Sequence, residues 1–110
     1  MTKLTLIIND AAQKDLLHIK DYLSQTFGAE ITNRIMRELA NQLKSLADFP
    51  NLGRSATEIG PYLTGYDYYH TDKITVIYKK SKTDLIILKI YDNRSDIGVQ
   101  IEGFLHEDSN

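Results

Sequence analysis

The stretch DLIILKIYDNRSD, residues 84–96, sets one charge in the middle of an otherwise aliphatic strand, with Leu85, Ile86, Ile87, Leu88 and Ile90 around Lys89. Moving an ammonium group out of water is costly unless it is paired or reaches solvent, so Lys89 must snorkel, meet a carboxylate or serve a function. Its neighbour in sequence, KITVIYKK (73–80), also reads as a strand, and YLTGYDYYH (62–70) as another. All three are rich in β-branched and aromatic residues and joined by short polar turns.

Pairing the last two runs through a Ser81-Lys82-Thr83 turn places Val76 opposite Leu88. One face then collects Ile74, Val76, Tyr78, Ile86, Leu88 and Ile90; the other collects Lys73, Thr75, Ile77, Lys79, Leu85, Ile87, Lys89 and Tyr91. A one-residue slip would exchange the faces, so this register is an expectation for the structure to test. It puts Lys89 on an open, wet face with Lys73, Lys79 and Tyr91. Such a face could cradle a polyanion or an acidic partner segment, or it is the ordinary solvated side of an antiparallel sheet.

Upstream, KLTLII (3–8) reads as a short strand stopped by Asn9-Asp10, and Asp10 with Gln13 fits a capping box. Ala12, Leu16, Ile19, Leu23 and Phe27 recur at helical spacing up to Gly28. A second helix, about Glu30 to Asp48, carries Ile31, Ile35, Leu39, Leu43 and Leu46 on one stripe, with Met36, Ala40 and Ala47 widening it. The short Gly28-Ala29 connection makes an antiparallel helical hairpin, and Phe49-Pro50 ends it. NLGRSATEIGP (51–61) reads as a loop. The order strand, helix, helix, strand, strand, strand predicts an α+β domain with the helix pair on one face of a mostly antiparallel sheet.

The chain has 110 residues, enough for one domain, and a net charge of −2, which disfavours binding nucleic acid through overall charge. It has no cysteine, which excludes disulfides, thiolate metal sites and Cys nucleophiles. The three histidines lack ligand spacing, and NLGRSATEIG lacks the phosphate-loop pattern, so no metal or cofactor is expected. The N-terminus reads as neither a signal peptide nor a membrane span, and the cytoplasm is the default location. Val99, Ile101, Phe104 and Leu105 must pack back on the sheet or meet a partner. The division expected is a domain over 1–97 and a partly apolar, then acidic, tail over 98–110.

The strings DLLHIKDYLSQTFG, LADFPNLGR, GY at 65–66, ITVIYK and ILKIYDNRSD, in this order, resemble the RelE/ParE superfamily of bacterial type II toxins across residues 3–97. The resemblance implies a growth-arresting toxin, a cognate antitoxin partner, no membrane, and scope for a hetero-oligomer with that antitoxin. RelE-like members cut mRNA on the ribosome, whereas ParE-like members poison DNA gyrase. Lys89 matches the family's usual arginine on the last strand, Arg94 and Asp96 its Arg-x-Asp ending, and Arg54 the GR of its loop. Asp92 stands where many members have histidine, and Asp67 where arginine is common.

A metal-independent endoribonuclease would draw fixed cations from Lys89, Arg94 and Arg54, and proton transfer from Tyr91 or His70. A tyrosine base would need its pKa lowered, which a cluster of Lys73, Lys79 and Lys89 could do. Lys73, Lys79, Tyr68 and His70 are the expected contacts for target or antitoxin. The acidic balance, Asp92 and Asp67 each remove something a nuclease uses, so the lean is to ParE-like gyrase inhibition. The alternatives are a RelE-like mRNA endoribonuclease and a non-toxic binding domain of the same fold.

Overall fold

A computed structural model describes residues 3–71 and 74–92. The expected Lys73, Arg94 and Asp96, and the tail 98–110, lie outside the described residues. The chain forms β1 (Thr5–Ile8), α1 (Asp10–Phe27), α2 (Ala29–Asp48), β2 (Arg54–Ser55), a single 3-10 turn (Ala56–Glu58), β3 (Asp67–His70), β4 (Ile74–Lys80) and β5 (Asp84–Asp92). One five-stranded sheet has the order β1-β5-β4-β3-β2, antiparallel except for the parallel β1–β5 pair. This is the expected α+β arrangement, with the helices on one face. No helix among the described residues is long and apolar enough to cross a membrane.

The helix start differs from the capping box expected at Asp10. Asn9 has extended backbone, and its side chain accepts the Ala12 N–H at 2.9 Å, so it is the N-cap; Gln13 donates instead to the Ile8 carbonyl at 2.8 Å. An N-cap must lie just outside helical geometry, and Asp10 is already inside it. Gly28, at φ +84°, turns α1 into α2. Phe27 at the hairpin tip is exposed rather than buried.

Two further expectations are corrected in the strands. The run from Tyr62 is a strand only from Asp67, because the preceding residues form turns that close on Gly65 at φ +90°. The expected loop contains β2, where Arg54 pairs with Tyr68 and Ser55 with Asp67.

The β4–β5 register also differs from Val76 opposite Leu88. Val76 pairs with Ile90 and Ile77 with Lys89, then Tyr78 with Ile87 and Lys80 with Leu85. Leu88 is thus the extra residue of a β-bulge. Beyond it the pairing is displaced by two residues from the expectation, which keeps every face; before it the displacement is one, which exchanges them. Leu85 and Ile87 therefore lie in the core under the helices with Ile74, Val76, Tyr78 and Ile90, and Leu88 lies on the other side.

That other side is not open in its middle. Residues 56–66 fold back over it, and Ala56, Leu63, Ile77 and Tyr91 make a second, smaller core with Ile59, Tyr66 and Tyr68 at its margin.

Candidate functional site

The register lays out the face away from the helices as rows. Arg54, Tyr68, Ile77 and Lys89 form one row across β2, β3, β4 and β5; His70, Thr75 and Tyr91 form the next. Lys79 sits on this face opposite Ile86. The expected contact residues Tyr68, His70 and Lys79 thus share a face with Lys89 and Tyr91. Arg54 lies three strands from Lys89, about 14 Å at ordinary strand spacing, so the two do not converge.

Among the described residues of this face, Arg54, Tyr68, Lys79, His70, Thr75 and Lys89 have partners within the protein. Arg54 Nε meets Glu58 Oε2 at 2.9 Å, and the Tyr68 hydroxyl donates to the same oxygen at 2.9 Å. The Lys79 ammonium stands 4.6 Å from the centre of the Tyr66 ring. His70 Nδ1 and the buried Thr75 hydroxyl are 3.0 Å apart. The lysine cluster needed to lower a tyrosine pKa is not formed by Lys79 and Lys89. Lys79 is two residues along β4 from the partner of Lys89, about 7 Å, and each ammonium has its own partner.

Lys89 meets a carboxylate. Its Nζ lies 3.1 Å from Asp15 Oδ1, across from α1, and Asp15 Oδ2 accepts the Ile90 backbone N–H at 2.9 Å. β1 stops pairing with β5 at Ile87, so Asp15 covers an edge that the sheet leaves bare. Lys89 also lies 6.0 Å from the Tyr91 ring, and Tyr91 itself is buried beneath Leu63.

The surroundings of Tyr68 and Tyr78 move both hydroxyls away from base chemistry. Partial burial raises the Tyr68 pKa, as do the hydrogen bond to Glu58 and its charge, with Arg54 opposing. Burial pushes Tyr78, on the helix side, up to about 12, aided by Asp67 and opposed by a hydrogen bond from the Gly53 N–H. Asp67, where the superfamily favours arginine, lies 3.7 Å from the Lys80 ammonium.

The partners Asp15, Glu58 and Asp67 were not expected from the sequence. Asp15 had a signal: three residues after Ala12 and four before Ile19, it flanks the buried stripe of α1, where a lone carboxylate needs a donor. Among the described residues no group of three or more His, Cys, Asp or Glu could hold a metal ion.

A search of curated protein sequences finds no significant match. Among solved structures, the chain resembles one from the chromosomal ParDE toxin–antitoxin system of P. aeruginosa, with a TM-score of 0.69 and 19% identity over 82% of this chain and 96% of that one. It also resembles a chain of the RelBE2 toxin–antitoxin complex of Mycobacterium tuberculosis, with a TM-score of 0.63 and 17% identity over 84% of this chain and 93% of that one. At these identities the likeness shows the fold. Residues 6–97 match the family model described as the ParE toxin of the type II toxin–antitoxin system parDE, and the chain therefore belongs to the ParE toxin family.

Proposed function

We propose that this toxin arrests growth by a binding contact with DNA gyrase rather than by cutting mRNA, and that a cognate antitoxin neutralises it. The observation that carries this reading is the second core. Leu63 and Ala56 fill the middle of the sheet face on which an RNA phosphodiester would have to lie, and Tyr91 is buried beneath them. A general acid or base must reach the reacting oxygen, which a side chain under a packed leucine does not. Lys89, bound to Asp15, and Arg54, bound to Glu58 across the sheet, support the same reading, since phosphorane charge needs convergent cations. A binding toxin requires none of these.

Two assays on purified toxin test the target: supercoiling by gyrase with a check for trapped cleaved DNA, and mRNA cleavage on translating ribosomes. Gyrase inhibition with intact mRNA is expected. Codon-dependent cutting with unimpaired gyrase would overturn the reading, and Lys89→Ala would then slow cutting on the order of a hundredfold. Induced expression without antitoxin should stop growth; normal growth with soluble, folded protein would point instead to a non-toxic binding domain.

A further inference from the structure

The two edges of the sheet are finished differently. β2 is two residues long, whereas β1 carries TLII along the other edge with no charge or proline to blunt it. Thr5 and Asn9 donate their N–H groups to the Thr83 and Ile87 carbonyls at 2.8 and 3.1 Å, so alternation along the strand turns Leu6 and Ile8 away from β5. At the ends of this edge the Ala47 carbonyl accepts the Leu4 N–H at 2.9 Å, and the Gln13 amide donates to the Ile8 carbonyl at 2.8 Å. Between them the Leu6 N–H, the Leu6 carbonyl and the Ile8 N–H meet no partner among the described residues. Ile7, beside Ile86 on the face away from the helices, is 40% exposed.

The shortness of this edge selects what covers it. Three backbone groups and one apolar side chain lie far below the roughly 1,200 Å² that a stable contact between separate molecules buries. A segment of the same chain is held by much less, because a short tether gives it an effective concentration of about a millimolar. The family match ends at residue 97, and the sequence continues as GVQIEG, 98–103. Val99 and Ile101 alternate with Gln100 and Glu102 between two glycines, the pattern of a short strand with one apolar face. Its length suits the open stretch of β1, and so does its tether. A strand outside β1 at the level of Ile8 lies about 20 Å from the end of β5, the way from Ile87 to Asp92 and two strand spacings across. Residues 93–100 span about 26 Å when extended.

We propose that the outer edge of β1 is a docking site for the chain's own tail, with residues 99–102 adding a sixth strand antiparallel to β1. Ile101 then lies opposite Ile7 on the face away from the helices, while Gln100 and Glu102 pair through their backbones with Ile8 and Leu6. Running on, Phe104 and Leu105 come to the end of α2, where Phe49, two residues after Ala47, is 51% exposed. The tail thereby closes an edge that is a template for pairing with other chains. The inference does not depend on which target the toxin has.

Amide hydrogen exchange on the full chain, read residue by residue, tests this. Gln100→Pro removes the N–H that faces the Ile8 carbonyl, and Ile101→Asp replaces the apolar partner of Ile7; both changes lie beyond the matched family domain. The Leu6 and Ile8 N–H groups should exchange about tenfold faster or more in either variant than in the wild type. The Ile7 N–H, directed at β5 in all three proteins, should keep its rate. Unchanged rates at Leu6 and Ile8 in either variant would overturn the proposal. So would protection in the wild type that grows with protein concentration, the mark of a second copy on the edge.

Discussion

The Tyr78 hydroxyl lies against the backbone of the loop that follows α2, accepting from the Gly53 N–H and standing 3.4 Å from the Pro50 carbonyl. Any side chain at residue 53 would collide with that hydroxyl and would put a Cβ 2.6 Å from the Tyr68 carbonyl oxygen. Gly53→Ala should therefore lose about 2 kcal/mol of stability in urea titration, in the range of overpacked sites. Tyr78→Phe removes the oxygen in the way, so the double variant should lose less than the sum of the two single losses. The same hydroxyl predicts a pH dependence. Its folded pKa, about 12, lies above the ordinary value of 10, so the folded state keeps a proton that the unfolded chain gives up. This contribution is fully present below about pH 10 and is lost as the pH rises toward 12, by roughly 1 kcal/mol per unit. Denaturant titrations across that interval should show a steeper loss in the wild type than in Tyr78→Phe, whose remaining slope comes from groups such as Tyr68.

At the scale of elements, the start of α1 distinguishes two adjacent residues of similar chemistry. Asn9 accepts the Ala12 N–H, whereas Asp10 sits in the first turn and contributes only its charge near the helix N-terminus. Asn9→Ala should cost about 1 kcal/mol and lower Tm by about 5 °C, and Asp10→Ala a few tenths of that energy. Equal losses would mean that the cap is shared. The β5 bulge is the other decisive element. Leu88 gives an apolar strand two faces out of phase, so that Leu85 and Ile87 point under the helices while Leu88 and Tyr91 point away from them.

For the whole molecule, the sheet is covered on both sides, by helices on one and by residues 56–66 on the other. Leu63 is fully buried in the second core, so Leu63→Ala should cost about 3 kcal/mol, read as a lower urea midpoint at constant m. If the covering segment were loosely held, the cost would fall below 1 kcal/mol. Lys79 holds its ammonium on this face over the Tyr66 ring. An acidic antitoxin segment approaching this side would be steered by charge and retained by apolar contact. Stopped-flow association of the antitoxin should slow as salt rises, with dissociation nearly constant; a salt-independent association rate would count against this mode.

The sequence by itself determined the order of elements, the helical hairpin and the superfamily resemblance. These rest on local periodicity: a 3.6-residue stripe through Leu39, Leu43 and Leu46 buries one helix face whatever lies beneath it, and Gly28 suits the turn between the helices. It also posed the question of Lys89, because a charge among aliphatic residues needs a partner. It did not name that partner, since Asp15 lies 74 positions away and nothing local joins the two. Only the tertiary structure decided that the lysine meets a carboxylate of α1 while Arg54 pairs with Glu58 at the other side of the sheet. The register was equally beyond local reading: Leu85, Ile86, Ile87 and Leu88 are nearly interchangeable in hydrophobicity, so periodicity could not show which was the extra residue. The packing of both faces at once selected Leu88, and with it the direction in which Lys89 points.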